Sequence, residues 1–360
     1  MKRFLAALTV ALLFGLVVIT VLGGVAFGTI VGSLFQAENM PKGTTQPPTG
    51  VFNPDIGKGS ASECTKTISS GSIESAANNL NAGGVLCLRE GTYQEADGRI
   101  NIRTSGTASA PKKIKAYPSE RVEIRSGFRA NVPGSNWVIK GVFVDSSYSP
   151  VETTQSGRGP RTNTAQALSW GAGSNILVDS VELINRRTGD KSGTCVFGGR
   201  SVDLTIQNSW IHRCGQLPRD NQEHCIYAGN AQGITIRNNL IADCANRSVQ
   251  LYSNTDNALV EGNLIDSEHQ NGIVLNGSAD NNTVRNNVVD TPNGDPLSTG
   301  GVYTGAGDVV RDNCVWDVAP ELAAKVVSGS NIVANPQIAN RKVTNATCVA
   351  KLPLGSPFRP

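Results

Sequence analysis

Short apolar segments recur along this chain in a fixed order and at a regular distance. Segments 234–244, 258–268 and 282–292 align with one another, and each begins 24 residues after the previous one. Within a copy, β-branched apolar residues alternate with polar ones around a bend at Asn or Gly, which predicts strand, bend and strand rather than helix. A unit this short cannot bury its own apolar side, so the copies must stack as a solenoid.

More divergent copies extend the pattern and define columns of side chains that recur in every coil. The first inward column contains Ile139, Val178, Ile206, Ile236, Val260, Val284 and Val310. The second inward column contains Val144, Leu183, Ile211, Ile241, Ile265, Val289 and Val315. An outward column contains Lys140, Asp179, Gln207, Arg237, Glu261, Arg285 and Arg311. The bend residues Asn239, Asn263, Asn287 and Asn313 suit a left-handed backbone or hydrogen bonds from one Asn to the next.

A further strand in each coil is predicted from the triplets 195–197, 225–227, 249–251 and 273–275. We expect the first and third residue of each triplet to point inward and the middle one outward. The pattern predicts an all-β fold, a parallel β-helix with about 24 residues per coil and strands stacked about 4.8 Å apart. A short helix from Ser72 to Leu80, with Ser72 as its N-cap, is expected to cover the first coil.

These repeats resemble those of right-handed parallel β-helix proteins, the pectate-lyase-like superfamily. Segments 83–93, 105–111 and 114–118 resemble the first coils of many polysaccharide-acting members, and segments 335–338 and 354–357 resemble their closing coil. The resemblance covers roughly residues 63–360 and implies one right-handed β-helix domain. No characterised subfamily is matched.

The N-terminal region predicts export from the cytoplasm. Lys2 and Arg3 precede an uncharged, mostly apolar run over residues 4–35, which is long enough to span a bilayer. No convincing cleavage motif closes the run, so we expect residues 1–35 to be an uncleaved signal anchor; a cleaved signal peptide is the alternative. Residues 36–62, rich in Pro, Gly, Thr and Ser, are predicted to be a flexible linker to the β-helix domain, residues 63–360.

The eight cysteines fit an oxidising compartment. Two pairs are predicted from register, because their members lie 30 residues apart at equivalent positions of adjacent coils. Two further pairs are expected to close the ends of the domain. The four predicted disulfides are Cys195–Cys225, Cys214–Cys244, Cys64–Cys87 and Cys314–Cys348; buried thiols are the alternative for the first pair.

Three long connections, residues 145–166, 185–193 and 212–222, are expected at one corner of the solenoid. Long loops usually line the binding side of a solenoid, and a basic wall suits an anionic polymer. The candidate substrate-binding residues at this corner and beside it are Arg158, Arg161, Arg186, Arg187, Lys191, Arg219, Glu223 and Gln250. The alternative is ordinary solvated loop charge, since the net charge of the chain is only +3.

His224 is predicted to point outward beside this wall, with Arg247 and Tyr252 on the adjoining coil. Elimination or carbon-5 epimerisation of a uronate requires a group that neutralises the carboxylate, one that removes the acidified proton and one that donates a proton. Arg247, neutral His224 and Tyr252 suit these steps in that order. An exposed histidine with a pKa of about 6.5 is well placed for proton transfer at neutral pH. An ordinary surface histidine is the alternative.

These patterns predict action on an extracellular acidic polysaccharide, as a uronate lyase or carbon-5 epimerase. The alternatives are a non-catalytic glycan-binding or cell-surface structural solenoid, and a glycoside hydrolase that uses Glu223 with Asp220. The Asp-Pro-His signature of mannuronan epimerases is matched only at His224.

The sequence identifies no metal site. The resemblance implies calcium, which many relatives use, but only Asp266 and Asp290 are expected to stack. A zinc site is not expected, because the three histidines lie on separate coils and no Cys-x-x-Cys motif occurs. Nucleic-acid binding is not expected, because only 5% of residues are aromatic and we expect the sheets to lack aromatic stacking platforms. We expect a monomer.

Overall fold

The computed structural model describes residues 60–130, 134–149, 151–156, 159–164, 166–186, 193–217, 223–266, 271–275, 278–291, 297–298, 305–316 and 330–360. Within these ranges the chain winds through three parallel β-sheets, which we call sheets A, B and C. Each coil passes through them in the order C, A, B. The prediction of a right-handed parallel β-helix is confirmed.

The strands of each sheet follow one another along the solenoid. Sheet A contains β1 (Lys66–Ile68), β2 (Val85–Leu88), β5 (Lys112–Ala116), β8 (Trp137–Lys140), β13 (Ala172–Asp179), β16 (Arg200–Gln207), β19 (Thr235–Arg237), β22 (Leu259–Glu261), β25 (Thr283–Arg285) and β28 (Val309–Arg311). Sheet B contains β3 (Gly91–Tyr93), β6 (Val122–Ile124), β9 (Phe143–Asp145), β14 (Glu182–Arg186), β17 (Trp210–Gly215), β20 (Leu240–Cys244), β23 (Leu264–Asp266), β26 (Val288–Asp290), β29 (Cys314–Trp316) and β30 (Ile332–Val333). Sheet C contains β4 (Arg99–Asn101), β7 (Gly127–Ala130), β12 (Leu168–Trp170), β15 (Val196–Gly198), β18 (Ile226–Gly229), β21 (Val249–Tyr252), β24 (Ile273–Leu275) and β27 (Leu297–Ser298). Two antiparallel hairpins, β10 (Val151–Ser156) with β11 (Gly159–Thr164) and β31 (Ile338–Ala339) with β32 (Lys342–Val343), lie outside these sheets.

The coils are longer on average than predicted. The 24-residue spacing holds where Ile236 pairs with Val260 and Val260 with Val284. Upstream, 39 residues separate Ile139 from its partner Val178, because the β10–β11 hairpin is inserted there. Over the seven coils from Ile139 to Val310, the spacing averages about 28 residues. Insertions at one corner lengthen a coil without disturbing the stacked strands, since the added chain leaves the solenoid and returns.

Both predicted aliphatic columns are confirmed by the strand register. The first lies inside sheet A and the second inside sheet B, and their members are buried except at the C-terminal end. The triplet register in sheet C was partly wrong. Ile226 pairs with Val249 and Tyr227 pairs with Gln250, so Ile226 faces the core and Tyr227 faces outward. Cys225, the first residue of triplet 225–227, is buried at the corner before the strand begins. Counting it as an inward strand position shifted the predicted register by one residue.

An asparagine ladder runs along the turn between sheets A and B. The side-chain Nδ2 of Asn239 donates to Oδ1 of Asn263, and Asn263 donates in the same way to Asn287, at 3.0 and 2.9 Å. These residues are fully buried, and Asn313 and Asn331 continue the series. The left-handed backbone belongs to the residue before each Asn, as at Asn238 and Asn286. The predicted hydrogen bonds from one Asn side chain to the next are therefore confirmed. The residue with the left-handed backbone, however, lies one position before each Asn of the ladder.

Both ends of the solenoid are covered. Helix α1 (Ile73–Asn78) has Ser72 as its N-cap and buries Ile73, Ala76 and Ala77, as expected for a cap on the first coil. At the other end, the chain after β30 includes helix α2 (Ala346–Val349) and packs against the outer face of sheet B. The apolar contacts there join Leu240, Leu264, Val288 and Cys314 to Val343, Cys348, Leu352 and Phe358.

Four disulfides are present, and two of the predicted pairings were wrong. Cys64–Cys87 and Cys314–Cys348 are confirmed. The other two bonds are Cys195–Cys214 and Cys225–Cys244 rather than Cys195–Cys225 and Cys214–Cys244. The stacked cysteines do share a register, but stacked side chains point in the same direction. Cysteines on the two sides of a corner point towards each other, with Cα atoms 5.5 and 5.4 Å apart.

The predicted signal anchor, residues 1–35, and residues 36–59 of the predicted linker lie outside the described residues. Among the residues with described structure, no helix combines the length and apolar character needed to cross a bilayer.

Candidate functional site

The three long connections begin and end at one corner, where a sheet B strand is followed by a sheet C strand. They join β9 to β12, β14 to β15 and β17 to β18, as predicted. Of the predicted basic wall, Arg186 is exposed at the end of β14, and Arg161 lies on β11 with only its backbone described. Arg158, Arg187, Lys191 and Arg219 lie outside the described residues. The wall as a whole therefore stays a prediction.

The outer face of sheet C carries a row of side chains in register along the solenoid. Ser169, Phe197, Tyr227 and Gln250 occupy equivalent positions of successive coils. The Phe197 and Tyr227 rings stack with centroids 5.7 Å apart and an angle of 6° between their planes. The expectation that the sheets lack aromatic stacking was therefore wrong. Phe197 and Tyr227 are separated by the same 30 residues as the aligned cysteines Cys195 and Cys225. This spacing in the sequence could have predicted that the two rings stack.

Two glycines make room for these rings. Gly199 and Gly229 lie two residues after Phe197 and Tyr227 on the same face. A Cβ at Gly199 would come within 2.7 Å of Phe197 Cε1, and one at Gly229 would come within 3.1 Å of Tyr227 Cε1. Each ring can therefore lean along its own strand over the bare backbone of its glycine.

His224 lies beneath this row instead of on the surface. Only 4% of the residue is exposed, and its ring stacks on Tyr227 at 5.5 Å between centroids. Burial, together with the positive charge of Arg247, lowers the pKa of His224 to about 3. The prediction of an exposed histidine with an ordinary pKa was wrong. The imidazole is neutral at physiological pH, and its Nδ1 is buried with no hydrogen-bond partner in the described part of the chain.

Arg247 acts on His224 from the adjoining coil, and Tyr252 lies on that same coil with Tyr227 between it and His224. Arg247 is partly exposed, and its Nη1 donates to Oε1 of Gln250 at 3.0 Å. Tyr252 is 39% exposed, and its ring lies 6.3 Å from the ring of Tyr227. Burial raises the pKa of Tyr227, and the neighbouring Tyr252 adds to the shift. The face therefore offers one guanidinium and two phenol side chains near a neutral imidazole.

The remaining predicted contacts differ in exposure. Glu223 is fully buried and Gln250 is 4% exposed, so neither has the open surface position expected of it. Asn246 and Ser248 are also buried at this corner, and their side-chain polar atoms have no hydrogen-bond partner among the described residues. A buried polar group without a partner is costly, so these atoms fit a corner that holds water or ligand atoms.

His212 is not on this face. His212 lies on β17 and not in a turn; its Nε2 is 3.0 Å from Glu182 Oε1, and burial lowers its pKa. His269 lies outside the described residues.

The described residues supply no ligand set for the calcium that the resemblance implies. Asp266 and Asp290 stack in register on sheet B, as predicted. No group of three or more His, Cys, Asp or Glu side chains in the described part of the chain could hold a metal ion.

Comparison with known proteins identifies the fold. A family model described as "Right handed beta helix region" matches residues 140–338, more than half of the chain. The crystal structure of pectate lyase Pel9A has 15% sequence identity and a TM-score of 0.55, covering 82% of this chain and 89% of that one. An alginate lyase from Paenibacillus sp. str. FPU-7 has 19% identity and a TM-score of 0.45, covering 70% of this chain and 88% of that one. PfbA, a surface adhesin of Streptococcus pneumoniae, has 15% identity and a TM-score of 0.36, covering 68% of this chain and 79% of that one.

No curated protein matches the sequence. The likeness to the pectate lyase shows a shared fold. With its stacked aliphatic columns and three parallel sheets, the chain belongs to the right-handed β-helix family.

Proposed function

We propose that the outer face of sheet C binds an extracellular acidic polysaccharide and that the protein acts on it as a uronate lyase or carbon-5 epimerase. The observation that carries this proposal is the position of Arg247, a partly exposed guanidinium that donates to Gln250, the register partner of Tyr227, and whose charge acts on the neutral ring of His224. A guanidinium pairs strongly with a carboxylate, and phenols donate hydrogen bonds to sugar oxygens.

Both reactions begin with the same step. Arg247 binds the uronate carboxylate and stabilises the negative charge that develops when carbon 5 loses its proton. His224 accepts that proton on its neutral imidazole, and the electron pair moves towards the carboxylate carbon. In the lyase, the bond from carbon 4 to the glycosidic oxygen then breaks and Tyr252 protonates the leaving oxygen. In the epimerase, Tyr252 returns a proton to carbon 5 from the opposite side.

The buried state of His224 sets a condition on this mechanism. A base with a pKa of about 3 accepts a proton poorly at neutral pH. A carboxylate bound to Arg247 cancels the positive charge that helps to depress this pKa, so substrate binding raises the basicity of His224. Substrate must also reach a ring of which 4% is exposed.

The disulfides support an extracytoplasmic location. Four bonds in the described residues favour an oxidising environment, which fits a protein that meets its polysaccharide outside the cytoplasm. Attachment to the membrane through residues 4–35, or secretion after their removal, belongs to this proposal. We also propose that the protein is a monomer. The residues proposed to contact the polymer are Arg158, Arg161, Arg186, Arg187, Lys191 and Arg219.

The test is incubation of the β-helix domain with a panel of uronate polymers. Ultraviolet absorbance detects the unsaturated product of a lyase, and proton NMR detects epimerised residues. Arg247→Ala and Tyr252→Phe are expected to abolish product formation. The matched controls Arg237→Ala and Tyr117→Phe change the same residue types on sheet A and directly after its strand β5, and should leave product formation unchanged.

A non-catalytic glycan-binding protein is the second candidate, and the burial of His224 favours it. Under this alternative a polymer binds, Arg247→Ala weakens binding, and no product appears. The structure gives no support to a glycoside hydrolase that uses Glu223 with Asp220, because Glu223 is fully buried and Asp220 lies outside the described residues.

A further inference from the structure

Two disulfides close the corner that carries the proposed site. Cys195–Cys214 and Cys225–Cys244 each join the start of a sheet C strand to the end of a sheet B strand. The two bonds lie on successive coils, since Cys214 is in register with Cys244. All four cysteines are fully buried. These bonds span the corner from one side to the other and do not link one coil to the next.

The same cysteines hold the backbone of the site residues. The amide of Cys195 donates to the carbonyl oxygen of His224 at 3.1 Å, and the amide of Cys225 donates to that of Arg247 at 3.0 Å. His224 also directly precedes Cys225 in the chain. Each site residue is thus attached, by a hydrogen bond from the coil beneath it, to a cysteine whose side chain is bonded across the corner.

The coil beneath is joined across the corner without a covalent bond. Asn185 occupies the register position of Cys214, and its Nδ2 donates to the carbonyl oxygen of Thr194 at 2.8 Å. The covalent links therefore begin on the coils that support His224 and Arg247. Long connections leave the solenoid at this corner, so the chain on either side of them needs an added constraint to keep a defined geometry.

The geometry points to Cys195, Cys214, Cys225 and Cys244 as positioning residues for the sheet C site. They hold the His224 and Arg247 backbones at a fixed separation, which orients the guanidinium and imidazole towards one substrate unit. This inference rests on the proposed function. Small displacements of reacting groups reduce rates strongly, so an uncoupled corner should lose much of its activity while the solenoid stays folded.

The pairing itself is tested first, by mass mapping of peptides from the protein digested without reduction. Linked peptides that contain Cys195 with Cys214 and Cys225 with Cys244 are expected. Peptides linking Cys195 to Cys225 would overturn the inference, because such bonds join adjacent coils and leave the corner open.

The positioning role is tested with Cys225→Ala/Cys244→Ala, and Cys64→Ala/Cys87→Ala at the N-terminal cap serves as the matched control. We expect about a tenfold or greater loss of kcat/KM in the first variant and less than about a threefold change in the control. Amide hydrogen exchange of residues 245–252 should accelerate by about tenfold in the first variant alone. Equal effects of the two variants on exchange and turnover would refute the positioning role.

A second variant covers the case in which the alanine variant does not fold. Cys225→Val/Cys244→Val keeps apolar volume in the corner and removes only the covalent link. If the parent protein turns over no polymer, the proposed function fails, but hydrogen exchange still measures whether the disulfides order the corner. Unchanged exchange in the valine variant would then reject the positioning role separately.

Discussion

The rings of Phe197 and Tyr227 lie parallel on adjacent coils, 5.7 Å apart, on the outer face of sheet C. The spacing of the coils sets this distance, because strands of one sheet stack about 4.8 Å apart. Tyr227 in turn lies between the buried ring of His224 and the exposed ring of Tyr252. The stack therefore connects the interior of the corner to the surface on which we propose that the polymer binds.

Replacing Tyr227 should weaken polymer binding without unfolding the domain. Tyr227→Leu keeps an apolar side chain over Gly229 but removes the ring and its hydroxyl. We expect about a tenfold loss of affinity, about 1.4 kcal/mol, measured by titration calorimetry with the polymer that the parent protein binds. Tyr117→Leu, at a partly exposed tyrosine that directly follows β5 of sheet A, is the control. Equal affinity of both variants would argue against this face as the binding surface.

The buried histidine should make folding stability depend on pH. The pKa of His224 is about 3 in the folded chain and 6.5 in the unfolded chain, so between these values only the unfolded chain carries the proton. The free energy of unfolding therefore falls as pH drops below about 6.5, by up to about 1.4 kcal/mol per pH unit. Urea denaturation at about pH 7.5 and pH 5 should reveal a loss of roughly 2 kcal/mol from this group.

The control for this dependence is His224→Gln, which removes the titrating ring. Between pH 7.5 and pH 5, the free energy of unfolding of this variant should fall by roughly 2 kcal/mol less than that of the parent protein. Part of the pH dependence should remain, because burial also lowers the pKa of His212. A variant with the full dependence of the parent protein would mean that His224 is hydrated in solution.

A break in the asparagine ladder should destabilise the whole domain. Asn263 accepts from the backbone and side chain of Asn239 and donates to Asn287, and all three are buried. Asn263→Ala leaves several of these groups without partners, which should cost about 3 kcal/mol in the free energy of unfolding. Asn335→Ala, at an exposed turn, should cost less than about 1 kcal/mol. Similar losses for the two variants would contradict a cooperative ladder.

The C-terminal segment should loosen when Arg341 is replaced. Its guanidinium lies 3.8 Å from the ring centroid of Trp210, and its φ of 61° is one that Asn tolerates. Arg341→Asn therefore removes the cation–π contact with little backbone cost, and should reduce local stability by about 1–2 kcal/mol. Faster amide exchange of residues 336–360, with unchanged exchange of residues 60–130, is the expected result. Uniform acceleration throughout the chain would indicate a global effect instead.

Much of the fold could be read from the sequence because its determinants are local and repeated. Ile236, Val260 and Val284 are buried at one register position, and each was identified from alternation of apolar and polar residues. A strand has a side-chain period of two, so a match over a few residues already specifies which face is inward. The same reasoning failed at Tyr227, where the buried Cys225 beside a corner does not follow the alternation of the strand.

The sequence by itself determined that this chain is a β-helix, which residues form its columns and which corner carries the long connections. Only the tertiary structure decided that Cys195 bonds Cys214, that His224 is buried with a depressed pKa, and that Phe197 and Tyr227 form a stack. Register records which residues lie above one another. The direction of a side chain at a corner, and its burial, depend on residues that are distant in sequence. Both are therefore decided only when the coils are assembled.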